Sequence, residues 1–225
     1  DIDSRSVKGL IVSELPPITK PKMRVRIDTI DGKDGAETVN LGFEAYTKIV
    51  KIGLTRNYDV DNIISWLHGN GHIQFSNEPD RYYRAQVHDA IDFEKLLRFK
   101  TANIKFFVQP FKYSATERTK TVDVSASSAI EVRNAGNYFS KPIITFTGKG
   151  TIDISVNGIQ KCKLYLGETS ESITLDADKE EAYYGDTLKN RQMDGKFITL
   201  DVGRNVISWT GNLTQVEITE YSRWL

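Results

Sequence analysis

The chain has 225 residues, 30 basic and 30 acidic side chains, and one cysteine. That length carries one large or two modest domains and buries enough surface to need neither disulfide nor metal. Neutrality removes the net attraction shown by nucleic-acid and membrane-surface binders, and Cys162 alone excludes an internal disulfide and reads as a small buried hydrophobe. No apolar run approaches the ~20 residues of a membrane span, so no membrane anchor is expected. The chain opens on Asp1-Ile2-Asp3, which is neither a methionine start nor the basic start of a signal peptide, and further residues are expected ahead of it.

Gly9-Leu10-Ile11-Val12-Ser13 reads as a strand, followed by Glu14-Leu15-Pro16-Pro17-Ile18-Thr19-Lys20-Pro21. The prolines there block helix and central strand alike and predict an extended, polyproline-like connector lying across another surface. Met23–Asp28 alternates as a strand, and Asp31-Gly32-Lys33-Asp34-Gly35 reads as a tight loop in which both glycines tolerate positive φ. It is a poor calcium loop, because Lys33 stands where an early oxygen ligand belongs. Thr47–Leu54 is β-branched and strand-like. Asp59 or Asp61 then offers an N-cap to a short helix with Ile63, Ile64, Trp66 and Leu67 on its buried stripe and Gly69 at its end.

From His72 to Tyr113 the pattern predicts a short strand, a turn, a longer strand, a helical turn and a final strand ending at Pro110. Between Ala102 and Pro110 the even positions are apolar and the odd ones mostly polar, as in a strand with one buried face. Phe107 breaks that pattern, and a large apolar side chain on the wet face points to a second surface. From Ser114 to Ala129 the residues turn small and polar, so a domain boundary is placed near residue 125, giving domains 1–125 and 126–225.

Beyond it, Ile152-x-Ile154-x-Val156-Asn157-Gly158-Ile159 calls for a type I′ hairpin. Further short strand patterns lie at Ile130–Asn134, Ile143–Thr147, Cys162–Leu166, Ile173–Asp176, Ala182–Tyr184, Phe197–Leu200, Val206–Trp209 and Val216–Thr219. So many short strands without convincing helices argue for an antiparallel β-sandwich.

Few groups in the chain stand at spacings that chemistry requires. His68 and His72 have the spacing of a helical metal pair, but Gly69-Asn70-Gly71 between them prevents the helix. Asp176-x-Asp178 is accounted for by a turn, and Gly148-Lys149-Gly150 lacks the frame of a phosphate loop and reads as a glycine-flanked turn. No GxSxG frames a serine, and no cofactor is implied. An enzyme is not expected. Arg81-Tyr82-Tyr83-Arg84 and Lys105-Phe106-Phe107 mix bases and aromatics as single-strand nucleic-acid platforms do; on a neutral chain the same residue types fit an interface between copies.

Taken together, several of these stretches resemble one family. Ile73-Gln74-Phe75-Ser76 with Pro79–Ala85, then Phe99–Ala102 running into Phe106-x-x-x-Pro110-Phe111-x-Tyr113, is similar to the distal tail protein of long, non-contractile-tailed phages. Gly9–Pro17, Ile63–Leu67, Val132–Asn137 with Lys141–Ile144, Gly150–Gly158, Ile207–Asn212 and Arg223-Trp224 extend the resemblance over most of the chain.

It implies a mainly β chain: an N-terminal, β-barrel-like, ring-forming domain with one or two short helices, and a C-terminal galectin-like antiparallel β-sandwich. It also implies a virion structural protein at the tail tip, made in the host cytoplasm and assembled as a homo-oligomeric, usually hexameric, ring. Its implied partners are the major tail tube protein, the tail-associated lysin or hub protein, a receptor-binding protein and the tape-measure protein, and DNA passes through the ring without sequence-specific binding. On this view residues 14–21 belong to an arm that reaches a neighbouring copy. Arg81, Tyr82, Tyr83, Arg84, Phe107, Pro110, Phe111 and Tyr113 are the expected oligomer contacts. The competing expectation is a carbohydrate-binding module that attaches the tail tip to host cell-wall glycans, with Trp209 stacking on a sugar ring.

Overall fold

The computed structural model describes residues 3–91, 93–116, 118–124 and 127–225. It packs as two compact units, the first running to Ala115 and the second spanning Thr116–Trp224; the expected boundary at residues 125 and 126 lies outside the described residues. The chain is mainly β, in curled antiparallel sheets.

In the first unit, strands β1 (Leu10–Glu14), β4 (Tyr46–Leu54), β7 (Thr101–Ser114), β6 (Arg81–Val87) and β5 (Gly69–Ile73) pair in that order, all antiparallel. The alternation in β4 and β7 turns Val50, Ile52, Ile104, Phe106 and Val108 to one face, where they meet Tyr83 of β6 in a single core cluster. Helix α1 (Val60–Trp66) covers that face with Ile63, and α2 (Phe93–Phe99) with Leu96. Asp59 caps α1 as expected, its carboxylate accepting from the Asn62 amide at 3.2 Å. The helix stops at a Leu67 cap, however, and Gly69 opens β5 at a φ of +92°.

Strand β7 does not end at Pro110 but runs through it to Ser114. Opposite Arg84 the register slips, so that Tyr83 pairs with Lys112 and Ala85 with Val108, leaving Gln109, Pro110 and Phe111 in a bulge. Proline has no amide to give the ladder, and a bulge is where a strand tolerates it.

Strands β2 (Met23–Asp28) and β3 (Glu37–Phe43) pair only with each other among the described residues, as a separate two-stranded ribbon. Its turn uses Gly32 and Gly35 at φ of +80° and +83°. Sequence patterning missed β3, although Val39, Leu41 and Phe43 alternate, because Asn40 and Gly42, the latter at a φ of +97°, read as turn formers inside the run.

The second unit contains β8 (Arg118–Asp123), β9 (Ala129–Asn134), β10 (Ile143–Val156), β11 (Ile159–Tyr165), β12 (Glu171–Asp176), β13 (Glu181–Tyr184), β14 (Thr187–Leu188), β15 (Met193–Gly195) and β16 (Gly203–Glu220). Asn157 and Gly158 turn β10 into β11 at φ of +52° and +78°, as the hairpin signal requires.

Two pairs of predicted short strands are each one long strand. Ile143–Thr147 joins Ile152–Val156 in β10, and Val206–Trp209 joins Val216–Thr219 in β16. The first half of β10 pairs with β12 and its second half with β11, while β16 follows it along both. Gly148-Lys149-Gly150 is therefore a bend inside β10 rather than a turn. A Cβ at Gly148 would lie 2.3 Å from the Asn212 carbonyl oxygen, and one at Gly211 would lie 2.4 Å from that of Thr151, so both strands crease where glycine permits it. The halves close over one core holding Ile144, Phe146, Ile154, Leu164, Ile173, Ile207 and Val216. Phe197–Leu200 is not a strand; Ile198 and Leu200 still point into that core. Cys162 is buried there, and burial pushes its thiol up to about 12.

Candidate assembly surface

Two features of the first unit leave apolar surface without a layer to cover it. One is the ribbon. Antiparallel pairing puts Met23, Val25 and Ile27 on one side together with Phe43, Asn40 and Thr38, and puts Arg24, Arg26 and Asp28 on the other together with Val39 and Glu37. Ile27 is 62% exposed, and Met23, Val25, Ile30, Val39 and Leu41 are exposed with it. The charged side pairs locally, Arg26 with Asp28 at 3.1 Å and Lys33 with Glu37 at 2.6 Å. A two-stranded ribbon is marginal by itself in water, and an apolar stripe of this kind marks an interaction surface.

The other feature is the sheet face opposite the core. Asn70 and His72 of β5, Arg84 and Gln86 of β6, and Phe107 and Gln109 of β7 line a shallow groove there. Phe107 is half-buried, with its ring edge-on to His88 at 5.3 Å. Ile49, on the adjacent strand, is exposed.

The expected contact residues divide. Tyr82 and Tyr113 stack at 5.5 Å across the β6–β7 pair, His72 lies 4.4 Å from Tyr82, and the Arg84 guanidinium sits 4.5 Å above Tyr113. Arg81 donates to the Asp80 carbonyl at 2.8 Å. Phe111, in the Pro110 bulge, takes Phe43 edge-on at 5.7 Å and so holds the base of the ribbon. Tyr83 is 0% exposed and belongs to the core. In the second unit Trp209 is 6% exposed with its ring packed in the core cluster, so it presents no face to a sugar. Alternation could not decide which way Trp209 points.

Sequence reasoning missed the polar cluster behind Tyr83. Its hydroxyl donates to Glu78, which also accepts from Lys112 at 3.0 Å. Burial pushes the Glu78 carboxyl up, but the hydrogen bonds from Tyr83 and Lys112 and the nearby ammonium charges outweigh it and hold the group below the usual carboxylate range. Burial and the facing carboxylate together push the Tyr83 hydroxyl up. Lys48 sits 4.9 Å from the Tyr83 ring, its ammonium drawn down by burial against the pull of Glu78. The only trace in the sequence was Lys48 itself, in line with the inward-facing Val50 and Ile52. Among the described residues, no group of three or more His, Cys, Asp or Glu is placed to hold a metal ion.

The curled sheet with its ribbon, followed by the creased sandwich, matches the fold of a solved phage tail protein. One solved structure that it matches is Dit (gp 19.1) of phage SPP1, described as a paradigm of the hub adsorption apparatus in phages that infect Gram-positive bacteria. The match has a TM-score of 0.69 at 19% identity and covers 96% of this chain and 94% of that one. At that identity the likeness is one of fold. No protein-family model matches the chain, and no curated protein matches it in sequence.

Proposed function

We propose that this chain is a non-enzymatic structural component of a phage tail tip that works by assembling into a closed, hexameric ring. The observation that carries this reading is the fold match over nearly the whole of both chains, to a protein described as part of a hub adsorption apparatus. The ribbon supports it independently, because an isolated chain gains nothing from holding Met23, Val25 and Ile27 in water.

A ring closes head to tail only if one patch fits a different patch on the next copy. The apolar side of the ribbon is the first patch, and the groove around Phe107, Arg84 and His72 is the second. The hexamer then joins the tail tube protein to the hub or tail-associated lysin protein, carries receptor-binding protein at its side, and leaves a central opening for tape-measure protein and DNA. Trp209 offers no platform for carbohydrate, since its ring is inside the core.

Native mass spectrometry and negative-stain microscopy of the purified chain test the proposal. Rings of one defined copy number are expected. A chain that stays single-copy at every concentration, with and without tail neighbours, would overturn it.

A further inference from the structure

Residues 16–21 form a strap between β1 and the ribbon, and its backbone is caught by side chains of its own unit. Asn77 Nδ2 donates to the Pro16 carbonyl at 3.0 Å, Lys48 Nζ to Pro17 at 2.8 Å, and the Tyr46 hydroxyl reaches Thr19 at 3.5 Å. A polyproline-like segment makes no hydrogen bonds within itself, so its carbonyls need donors from outside. Three of them are supplied here, two from β4 and one from the turn before β6. Pro16 and Pro21, at the two ends of the strap, are buried.

The central donor is unusual. Lys48 is 3% exposed, and its ammonium faces Tyr83 at 4.9 Å, Phe75 at 5.7 Å and Tyr46 at 5.8 Å. Such a cage of rings is what proteins build around a ligand cation. Here it holds the chain's own. Burying a charge is costly where an unbranched apolar side chain would fill the same space, so packing alone does not explain a lysine at this place. What the charge adds is a directed bond to the strap.

We infer that Lys48 is a positioning residue: with Asn77 and Tyr46 it latches the strap, and the latched strap fixes the direction in which the ribbon projects. Past the strap, the contacts seen among the described residues tie the ribbon down near its root, where the Glu44 amide donates to the Lys22 carbonyl at 2.8 Å, the Lys22 ammonium lies 3.6 Å from the Glu44 carboxylate and Phe43 meets Phe111. A ribbon free to swing about that root would meet a neighbouring copy at many angles, while a latched one meets it at one. The inference rests on the ribbon being the assembly arm proposed above. It adds that competence for assembly is set by a side chain that touches no other copy.

The test uses the full chain in a Cys162→Ala background, with spin labels at Lys33→Cys on the ribbon tip and Asp61→Cys on α1, diluted to the single-copy state. A narrow distance distribution is expected. Lys48→Met should keep the strand signature and the cooperative melt while at least doubling the width of that distribution. An unchanged width in folded Lys48→Met would overturn the latch. Should that variant not fold, Asn77→Ala combined with Tyr46→Phe leaves the caged charge in place and is read the same way, broadening expected and constancy fatal. Native mass is scored separately, so a chain that never forms rings ends the assembly reading while the width measurement still answers for Lys48.

Discussion

The two units solve the problem of apolar surface in opposite ways. In the second, β10 and β16 fold over their glycine creases and enclose Ile144, Phe146, Ile152, Ile154, Ile207 and Val216 almost completely. Its exposed apolar side chains, Ile159, Tyr165, Tyr184, Leu188 and Val202, are scattered over different strands and turns. In the first, Ile11, Ile18, Ile49, Ile64 and Phe99 are scattered in the same way, but Met23, Val25, Ile27, Ile30, Val39 and Leu41 gather on the ribbon and its turn, which pair with no third strand among the described residues. Scattered exposure is ordinary for a folded surface, whereas contiguous exposure on a ribbon asks for a partner. The second unit covers its apolar surface within one chain, and the first leaves part of its own on the ribbon, where the proposed assembly would cover it.

The largest way to break that contrast is Val25→Glu with Ile27→Glu. It should abolish rings in native mass spectra and move the thermal midpoint little, since both side chains already face water. If rings persist, the ribbon's apolar side is not the seam. The reciprocal change in the second unit is Phe146→Ala, which should cost about 3–5 kcal/mol in denaturant unfolding and leave the seam untouched in whatever fraction stays folded. Smaller is Gly9→Ala. Gly9 has a φ of +78°, and an added Cβ would lie 2.3 Å from the Tyr58 Cα, so a loss of more than about 1 kcal/mol is expected from strain and collision. A stability change within error would show that β1 can shift away from Tyr58.

The smallest effect is that of acid. Glu78 is held below its unfolded pKa, so the stability it contributes is full above the free-glutamate value of about 4.3 and is lost as pH falls through the lower folded value. Hydrogen exchange in β6 and β7 around the Tyr83–Lys112 pair should quicken over that interval, ahead of Ile144 and Ile154 in the sandwich. Equal acid sensitivity in both places would remove Glu78 from the account.

Much of this was legible in the chain. Alternation from Ala102 to Val108 gave the buried face of β7, Asn157-Gly158 gave its hairpin, and Asp59 gave its cap, because each signal is local. Three features were not, and each for a physical reason. Met23-Arg24-Val25-Arg26-Ile27-Asp28 has the pattern of a half-buried strand, and only the folded chain, in which it pairs with β3 alone among the described residues, shows that its apolar side faces water. Gly148 and Gly150 read as a turn because composition cannot distinguish a turn from a crease inside a long strand. Lys48 sits at an inward position of β4, and its role depends on Pro17, Glu78 and Tyr83, which meet it only in the folded unit. The candidate surface was legible in part, with Phe107 and Arg84 on the outer sheet face but Tyr83 assigned to the wrong side, since adjacent residues of a strand point in opposite directions.

The creases of β10 and β16 carry one more consequence. Each of these strands belongs to both layers of the sandwich, so neither layer can peel away without dragging the other's central hydrogen bonds with it. Pulled from its ends, such a module is expected to resist as one block and fail in a single step, a mechanical fuse rather than a zipper.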